Sequence, residues 1–346
     1  MLKRCEAERG KEKLGLEVSP REGDYLESLE GIIFAVKGNI HPPTHVIAYP
    51  KYIPNGERKG YKKLSSLTDS ISFLRGKFPE YLRFDPIFND TLAEVPKTRI
   101  KRLYSPQKFL QLLLTKNNLN SVEKDSIDFA KLICESASIP LSSLGISGSV
   151  MVGLHKEDSD IDLIVYGVEE CKVVYNALKK LSNEGLITPY REDQLKKLYM
   201  SRVKDTPLPF ERFVKIESRK LLQGFFNQRE YFIRFVKNIW EEDEKYGKKY
   251  YKYVGQIELE ADVVDDSEAI FTPAKYKLGN VLVVNGTFKN SDMIREVVSF
   301  RGRFCEQAKR FERVYIKGKL EKVLSVEGEY FRVIIGGKGD LFYPKD

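Results

Sequence analysis

One stretch constrains this chain more than any other: GISGSVMVGLHKEDSDIDLIVYG, residues 145–167. It reads as a short strand, a glycine–serine turn, the start of a helix and then a second strand. Asp160 and Asp162 stand at i and i+2 where that second strand begins. The period of two puts both carboxylates on one face, with their Cα atoms about 6–7 Å apart. Ile161 points the other way, and Leu163, Ile164 and Val165 continue as a buried strand. Two acids at the rim of so apolar a strand are costly unless a cation or hydrogen bonds compensate them. A shared Mg²⁺ (or Mn²⁺), which takes a few carboxylates together with phosphate oxygens and water, suits that spacing. The Gly148–Ser149 turn ahead of a helix offers backbone amides suited to a phosphate.

The rest of the chain sets the frame. Its 346 residues suit two or three domains. The formal net charge of +8 favours an anionic partner such as nucleic acid or nucleotide. Cys5, Cys134, Cys171 and Cys305 are widely spaced, and the only histidines are His41, His45 and His155. That spacing argues against a structural zinc site and against a disulfide scaffold, and fits a reducing compartment. The N-terminus has no apolar signal region and no run approaches membrane-spanning length, so a cytoplasmic protein with no membrane partner is expected.

Along the chain, residues 1–24 are polar and read as loosely docked. GIIFAVKG (31–38) and HVIAYPKYI (45–53) read as a hairpin, followed by a loop carrying Arg58, Lys59, Lys62 and Lys63. Helices are expected near 65–77, 105–117, 121–138, 169–185, 191–203 and 210–222, with a mostly irregular connection between the first two. Strands are expected at 229–237 and 254–264, and the Gly-punctuated β-runs beyond 270 suggest a small barrel or sandwich. The fold class is therefore α+β. An N-terminal α+β region (1–120) with possible nucleic-acid binding precedes a mixed-sheet core (121–268) and a small β-rich region (269–346).

The pattern at 148–163 resembles that of the DNA polymerase beta-like nucleotidyltransferase superfamily: G-S-x-x-x-G, five variable positions, then S-D-x-D and an apolar residue. Gly148, Ser149, Gly153, Ser159, Asp160, Asp162 and Leu163 supply it without insertion. The resemblance implies that Gly148, Ser149 and Ser159 belong to the nucleotide-binding turn and that Asp160 and Asp162 bind catalytic metal. Many members carry an Arg before the second glycine, where this chain has Val152, which leaves His155 or a lysine elsewhere to compensate. As a whole the chain looks like an archaeal family of nucleotidyltransferases.

The superfamily adds a third carboxylate from a later strand. In QIELEADVV, the acids Glu258, Glu260 and Asp262 share one face. Asp262 before Val-Val resembles the third position of archaeal CCA-adding enzymes and is favoured as metal ligand and catalytic acid. Glu258 is its rival, and a plain solvent face is the alternative for any of the three. Arg234, inside the apolar run FIRFV, is the candidate phosphate cation, with a strand-edge ion pair as the alternative. His41 and His45 beside Pro42 and Pro43 read as a rigid turn. The basic, Tyr-containing segments 58–63 and 101–108 suit single-stranded nucleic acid or a solvated surface. The resulting expectation is Mg²⁺-dependent transfer of a nucleoside monophosphate from a nucleoside triphosphate. The acceptor is a nucleic acid, RNA before DNA, or a protein. A degenerate nucleic-acid-binding scaffold and a metal-dependent nuclease or phosphohydrolase are the alternatives.

Overall fold

The computed structural model describes residues 19–56, 60–242 and 244–345. Most of the polar N-terminal run and the Arg58–Lys59 part of the basic loop lie outside the described residues.

The first sheet is built from β1 (Tyr25–Ser28), β2 (Ile33–Val36), β3 (His45–Asn55), β4 (Gly60–Lys63), then, after helix α1 (Leu67–Lys77), β5 (Leu82–Asp85), β6 (Asp90–Pro96) and β7 (Ile100–Tyr104). Its order is β5-β6-β3-β2-β1-β7, with β4 on β3, and every pairing is antiparallel. Leu26, Phe34, Val46, Leu74, Tyr81 and Val95 form its core. The expected hairpin is β2–β3. The stretch expected to be irregular instead yields most of β5–β7. Asp85 makes the turn between β5 and β6 by accepting from the amides of Ile87 (2.7 Å) and Phe88 (2.9 Å). Ala93 and Val95 then bury in the core; proline punctuation masks this short amphipathic strand in the sequence.

The central region runs α2 (Pro106–Leu114), α3 (Ser121–Ala137), β8 (Leu144–Ile146), α4 (Gly148–Met151), β9 (Ile161–Tyr166), α5 (Val168–Asn183), α6 (Glu192–Arg202), α7 (Phe210–Glu217), β10 (Gln223–Phe226) and β11 (Arg229–Val236). The sheet order is β10-β11-β9-β8, with β9 and β11 parallel. Asn120 caps α3 by accepting from the Glu123 amide at 3.0 Å, and the Glu123 carboxylate returns the bond to the Asn120 amide. Such a box is worth about 1 kcal/mol. Ile161, Leu163 and Val165 turn one face of the sheet to Phe129 and Ile133 of α3 and Val174 and Leu178 of α5. By the period of two, Asp162, Ile164 and Tyr166 occupy the other face. The N-terminal segment covers that face: Gly23 lies against Ile164, and the Arg21 guanidinium sits 3.6 Å above the Tyr166 ring. Residues 19–24, expected to be loosely docked, are packed down instead, with Glu22 and Asp24 buried.

The last region contains β12 (Lys249–Asp265), β13 (Ala274–Asn285), β14 (Ile294–Ser299), β15 (Arg313–Ser325), β16 (Gly328–Ile334) and β17 (Leu341–Pro344). β12 pairs β13 along one edge and β15 along the other, so five strands close in the order β12-β13-β14-β16-β15, and β17 extends β15. This is the barrel the β-runs suggested, with a single parallel pair, β14–β16. One strand is relocated: 254–264, expected in the central core, is part of β12 and belongs to the barrel. Among the described residues no helix is long and apolar enough to cross a membrane.

The central sheet meets α2 at close range. A Cβ on Gly145 of β8 would fall 2.7 Å from the Pro106 carbonyl carbon and 2.8 Å from the Gln107 nitrogen, both backbone atoms. Gly145→Ala is therefore expected to destabilise the fold by about 1–3 kcal/mol, read as a lower denaturant midpoint at unchanged slope.

Candidate active site

Asp160 immediately precedes β9 and Asp162 is its second residue, so both carboxylates lie at the N-terminal edge of a strand whose other face is core. The glycine–serine turn stands directly against them. Gly148 has φ +67, and a Cβ there would overlap the Asp162 carboxylate. Only glycine meets both conditions. The turn is stapled on two sides: the Ser147 amide donates to the Asp162 carbonyl at 2.8 Å, and the Ser147 hydroxyl donates to the Gly23 carbonyl at 2.7 Å. The loop before Asp160 is closed by the Lys156 amide donating to Ser159 Oγ at 2.9 Å. Arg229 clamps this loop to α3, donating to Asp125 at 2.7 Å and to the carbonyls of Glu157 (2.6 Å) and Ser159 (2.9 Å).

The first sheet roofs the aspartates. Its Tyr25 and Tyr52 phenols are both pushed up by burial and then by the Asp162 charge. Asp162 is half-buried; desolvation and then the Asp160 charge push its carboxyl up to about 7, against the pull of Arg234, Lys51 and Lys63. Burial, followed by the charge of Lys63, brings Lys51 down to about 8. Two acids and a ring of cations thus share one small volume. Lys51 and Lys63 are the lysines whose charge reaches Asp162.

Arg234 occupies the same face of β11. Phe232 is the register partner of Asp162, and Arg234 lies two residues on. Its guanidinium is ion-paired to Glu22, which also accepts from Lys37 Nζ at 3.1 Å and from the Gly38 amide at 2.7 Å. Burial alone would raise the Glu22 carboxyl, but Lys37, Arg234 and the Gly38 amide together hold it below the usual range. Arg234 is thus ion-paired, as the alternative reading has it, though on an interior strand of the sheet, and it lies on the face that bears Asp162.

The third carboxylate is a correction. Glu258, Glu260 and Asp262 lie on the outer face of β12, opposite Lys317, Tyr315 and Arg313 of β15. Glu258 is 2.9 Å from Lys317, Glu260 binds Lys345, and Asp262 binds Arg313 at 3.0 Å and Asn280 at 2.7 Å. They form a cross-strand ladder of charges on the barrel, and Asp262 does not line the cleft that holds Asp162. The strand that does pair with β9 presents Phe232 and Arg234. Among the described residues, no three His, Cys, Asp or Glu side chains converge on a metal position.

The histidines are local fixtures. His41 is half-buried, hydrogen-bonded to the Pro20 carbonyl (2.9 Å) and the Ile47 amide (3.2 Å), and desolvation brings it down to about 4. His45 bonds Thr44 and Arg83, and His155 bonds Asn120 at 2.9 Å. In the 101–108 segment, Lys101 and Tyr104 both bond Glu27. Sequence reasoning missed Glu22, Lys37, Lys51, Tyr52 and Arg229. Lys51 carried the signal that singled out Arg234, a cation inside an apolar strand; Glu22 carried none.

Two expectations follow. Gly148→Ala should destabilise the protein by about 1–3 kcal/mol and displace Asp162, seen as a lower melting temperature. Glu22→Ala, which strands Arg234 and Lys37, should cost roughly 3–5 kcal/mol. Because the folded Glu22 pKa is depressed, its contribution is full above the unfolded carboxylate value and lost as pH falls through the folded one. Glu22→Gln should accordingly flatten the acid limb of a stability–pH profile.

A model of the nucleotidyltransferase domain matches residues 128–222, which run from the middle of α3 to just before β10 and include both aspartates. An uncharacterized protein of the archaeon Methanocaldococcus jannaschii is 32% identical over 336 residues, covering 92% of this chain and 96% of that protein. No solved structure matches. With the glycine–serine turn set against an Asp-x-Asp strand, the chain carries a polymerase beta-like nucleotidyltransferase domain over residues 128–222 and belongs to one family with this archaeal protein.

Proposed function

We propose that the protein is a Mg²⁺-dependent nucleotidyltransferase that moves a nucleoside monophosphate from a nucleoside triphosphate to a hydroxyl of a nucleic-acid acceptor. The observation that carries this reading is the contact of the Gly148 turn with the Asp162 carboxylate, beside Asp160 and beneath Lys51 and Lys63.

The donor set suits a magnesium ion. Two neighbouring carboxylates share the site, and burial followed by the Asp160 charge still leaves the Asp162 carboxyl raised against the pull of Arg234, Lys51 and Lys63. Mg²⁺ is commonly held by one or two carboxylates and completes its shell with substrate phosphates and water. Asp160 and Asp162 would hold it. Bound there, it would lower the pKa of the attacking hydroxyl and neutralise charge on the departing pyrophosphate. The chain's own groups do the positioning. Amides of the 148–149 turn would face the phosphates. Lys51 and Lys63 supply positive charge where negative charge accumulates, and Arg234, pinned by Glu22, does so without having to reorganise. Ser159 closes the loop that sets Asp160.

Nucleic acid is favoured as the acceptor because a five-stranded barrel follows the catalytic region, an architecture on which oligonucleotides are often bound. The net charge of +8 suits a polyanion. RNA is the first acceptor to test, ahead of DNA and protein.

One observation favours a second reading, a nucleic-acid-binding protein on a scaffold that has lost transfer activity: β11 presents Phe232 and Arg234 on the aspartate face and no third acid. The two readings part in one experiment with labelled nucleoside triphosphates, Mg²⁺ or Mn²⁺ and pooled RNA. Transfer is expected with the unaltered chain, reduced about a hundredfold or more in Asp160→Ala and Asp162→Ala at an unchanged melting temperature. Undiminished labelling by the double variant rules the mechanism out. Salt-sensitive RNA binding with no transfer by any variant establishes the second reading.

A further inference from the structure

The three sheets enclose a cleft of about 970 Å³ that reaches well past the aspartates. On its far wall, the turn after β14 reads Arg301-Gly302-Arg303. Gly302 is seated on Phe232: a Cβ there would lie 2.6 Å from the ring's Cζ. Since Phe232 is the register partner of Asp162, this seat places the barrel turn that carries the two arginines across Phe232 from the aspartate strand. Gly336 makes room for one of them, because a Cβ at that position would lie 3.0 Å from Arg301 Cδ.

The arginines are under-supplied with acceptors. Arg301 donates to the Gly336 carbonyl at 2.9 Å and reaches Asp205 with both terminal nitrogens at 3.4 Å. Arg303 donates to Thr206 Oγ1 at 2.6 Å and stands 4.0 Å from the same Asp205 oxygen. One carboxylate thus serves two guanidinium groups at loose distances. A third, Arg202, is already engaged by Glu217 at 2.8 Å and Gln223 at 3.2 Å. Arg303 Nε is buried without a hydrogen-bond partner. Burial, then the charges of Arg301 and Arg202, brings the Arg303 guanidinium down to about 9. Buried charged donors ordinarily have partners, so the deficit points to a missing anion. Lys338 lines the same stretch of cleft. Paired guanidinium forks match the oxygens of a phosphate better than any other common anion except a carboxylate.

We propose that Arg301 and Arg303 form a phosphate-binding subsite, set across Phe232 from Asp160 and Asp162. It rests on the reading above only for which substrate carries the phosphate. Two sources share that chemistry: the tail of the nucleoside triphosphate, and a phosphate of the acceptor strand.

Calorimetric titration of the full chain separates them. The probes are inorganic tripolyphosphate, a nonhydrolysable nucleoside triphosphate with Mg²⁺, and a short oligoribonucleotide with and without a 5′-phosphate. Arg301 is part-exposed, so Arg301→Gln should fold, with its melting temperature as the check and Arg301→Lys as the charge-conserving companion. Tripolyphosphate affinity is expected to fall about tenfold or more in Arg301→Gln and less in Arg301→Lys. A parallel fall for the nucleotide analogue assigns the subsite to the triphosphate tail. A fall confined to the 5′-phosphorylated oligonucleotide assigns it to the acceptor. Tripolyphosphate binding that is absent from the unaltered chain, or equal in the folded Arg301→Gln protein, overturns the proposal. Failure of the transfer reading shows separately: Asp162→Asn would leave transfer intact while tripolyphosphate binding still depended on Arg301.

Discussion

Glu22 is the keystone of the arrangement. It is a fully buried carboxylate bound to Arg234 on β11, to Lys37 beyond β2 and to the Gly38 amide. A charge taken out of water is stable only when its partners are in place, so this cluster specifies how the N-terminal sheet docks on the aspartate face of the central sheet. That docking brings Tyr25, Lys51, Tyr52 and Lys63 over Asp162. Without it the two aspartates would open to solvent on an otherwise apolar face.

The site is consequently composite. The central sheet supplies the aspartates and the glycine–serine turn, the first sheet supplies cations and phenols, and the barrel supplies the Arg301–Arg303 turn through the seat of Gly302 on Phe232. Parts contributed from separate regions give a wide cleft with positive charge on several walls. The outer faces are treated differently. The acids of β12 are neutralised strand against strand by β15, which leaves them no part in the cleft.

Much of this was legible in the residues, for reasons that differ by element. The amphipathic helices and the β2–β3 hairpin follow from periodicity and turn chemistry. The β5–β7 strands did not, because their buried positions are few and lie between prolines. Asp262 misled because the period of two places three acids on one face without saying what that face meets; register with β15 decided that it meets Arg313. Residues 19–24 misled for the converse reason. A polar segment reads as solvated unless its partners are known, and the partners of Glu22 lie just after β2 and on a strand more than two hundred residues away.

By itself the sequence determined what is local: a strand with two aspartates on one side, a turn that only glycine can make, and therefore the kind of family to which the chain belongs. Short-range sterics and strand alternation are encoded within a few residues, so they survive any uncertainty about packing. Only the tertiary structure decided which other cations face those aspartates, that the strand bearing Asp262 lies in the barrel and not beside β9, and that the barrel's arginines reach the cleft. Those are contacts between residues far apart in the chain, set by strand register and by the pairing of buried charges, and no local pattern carries them.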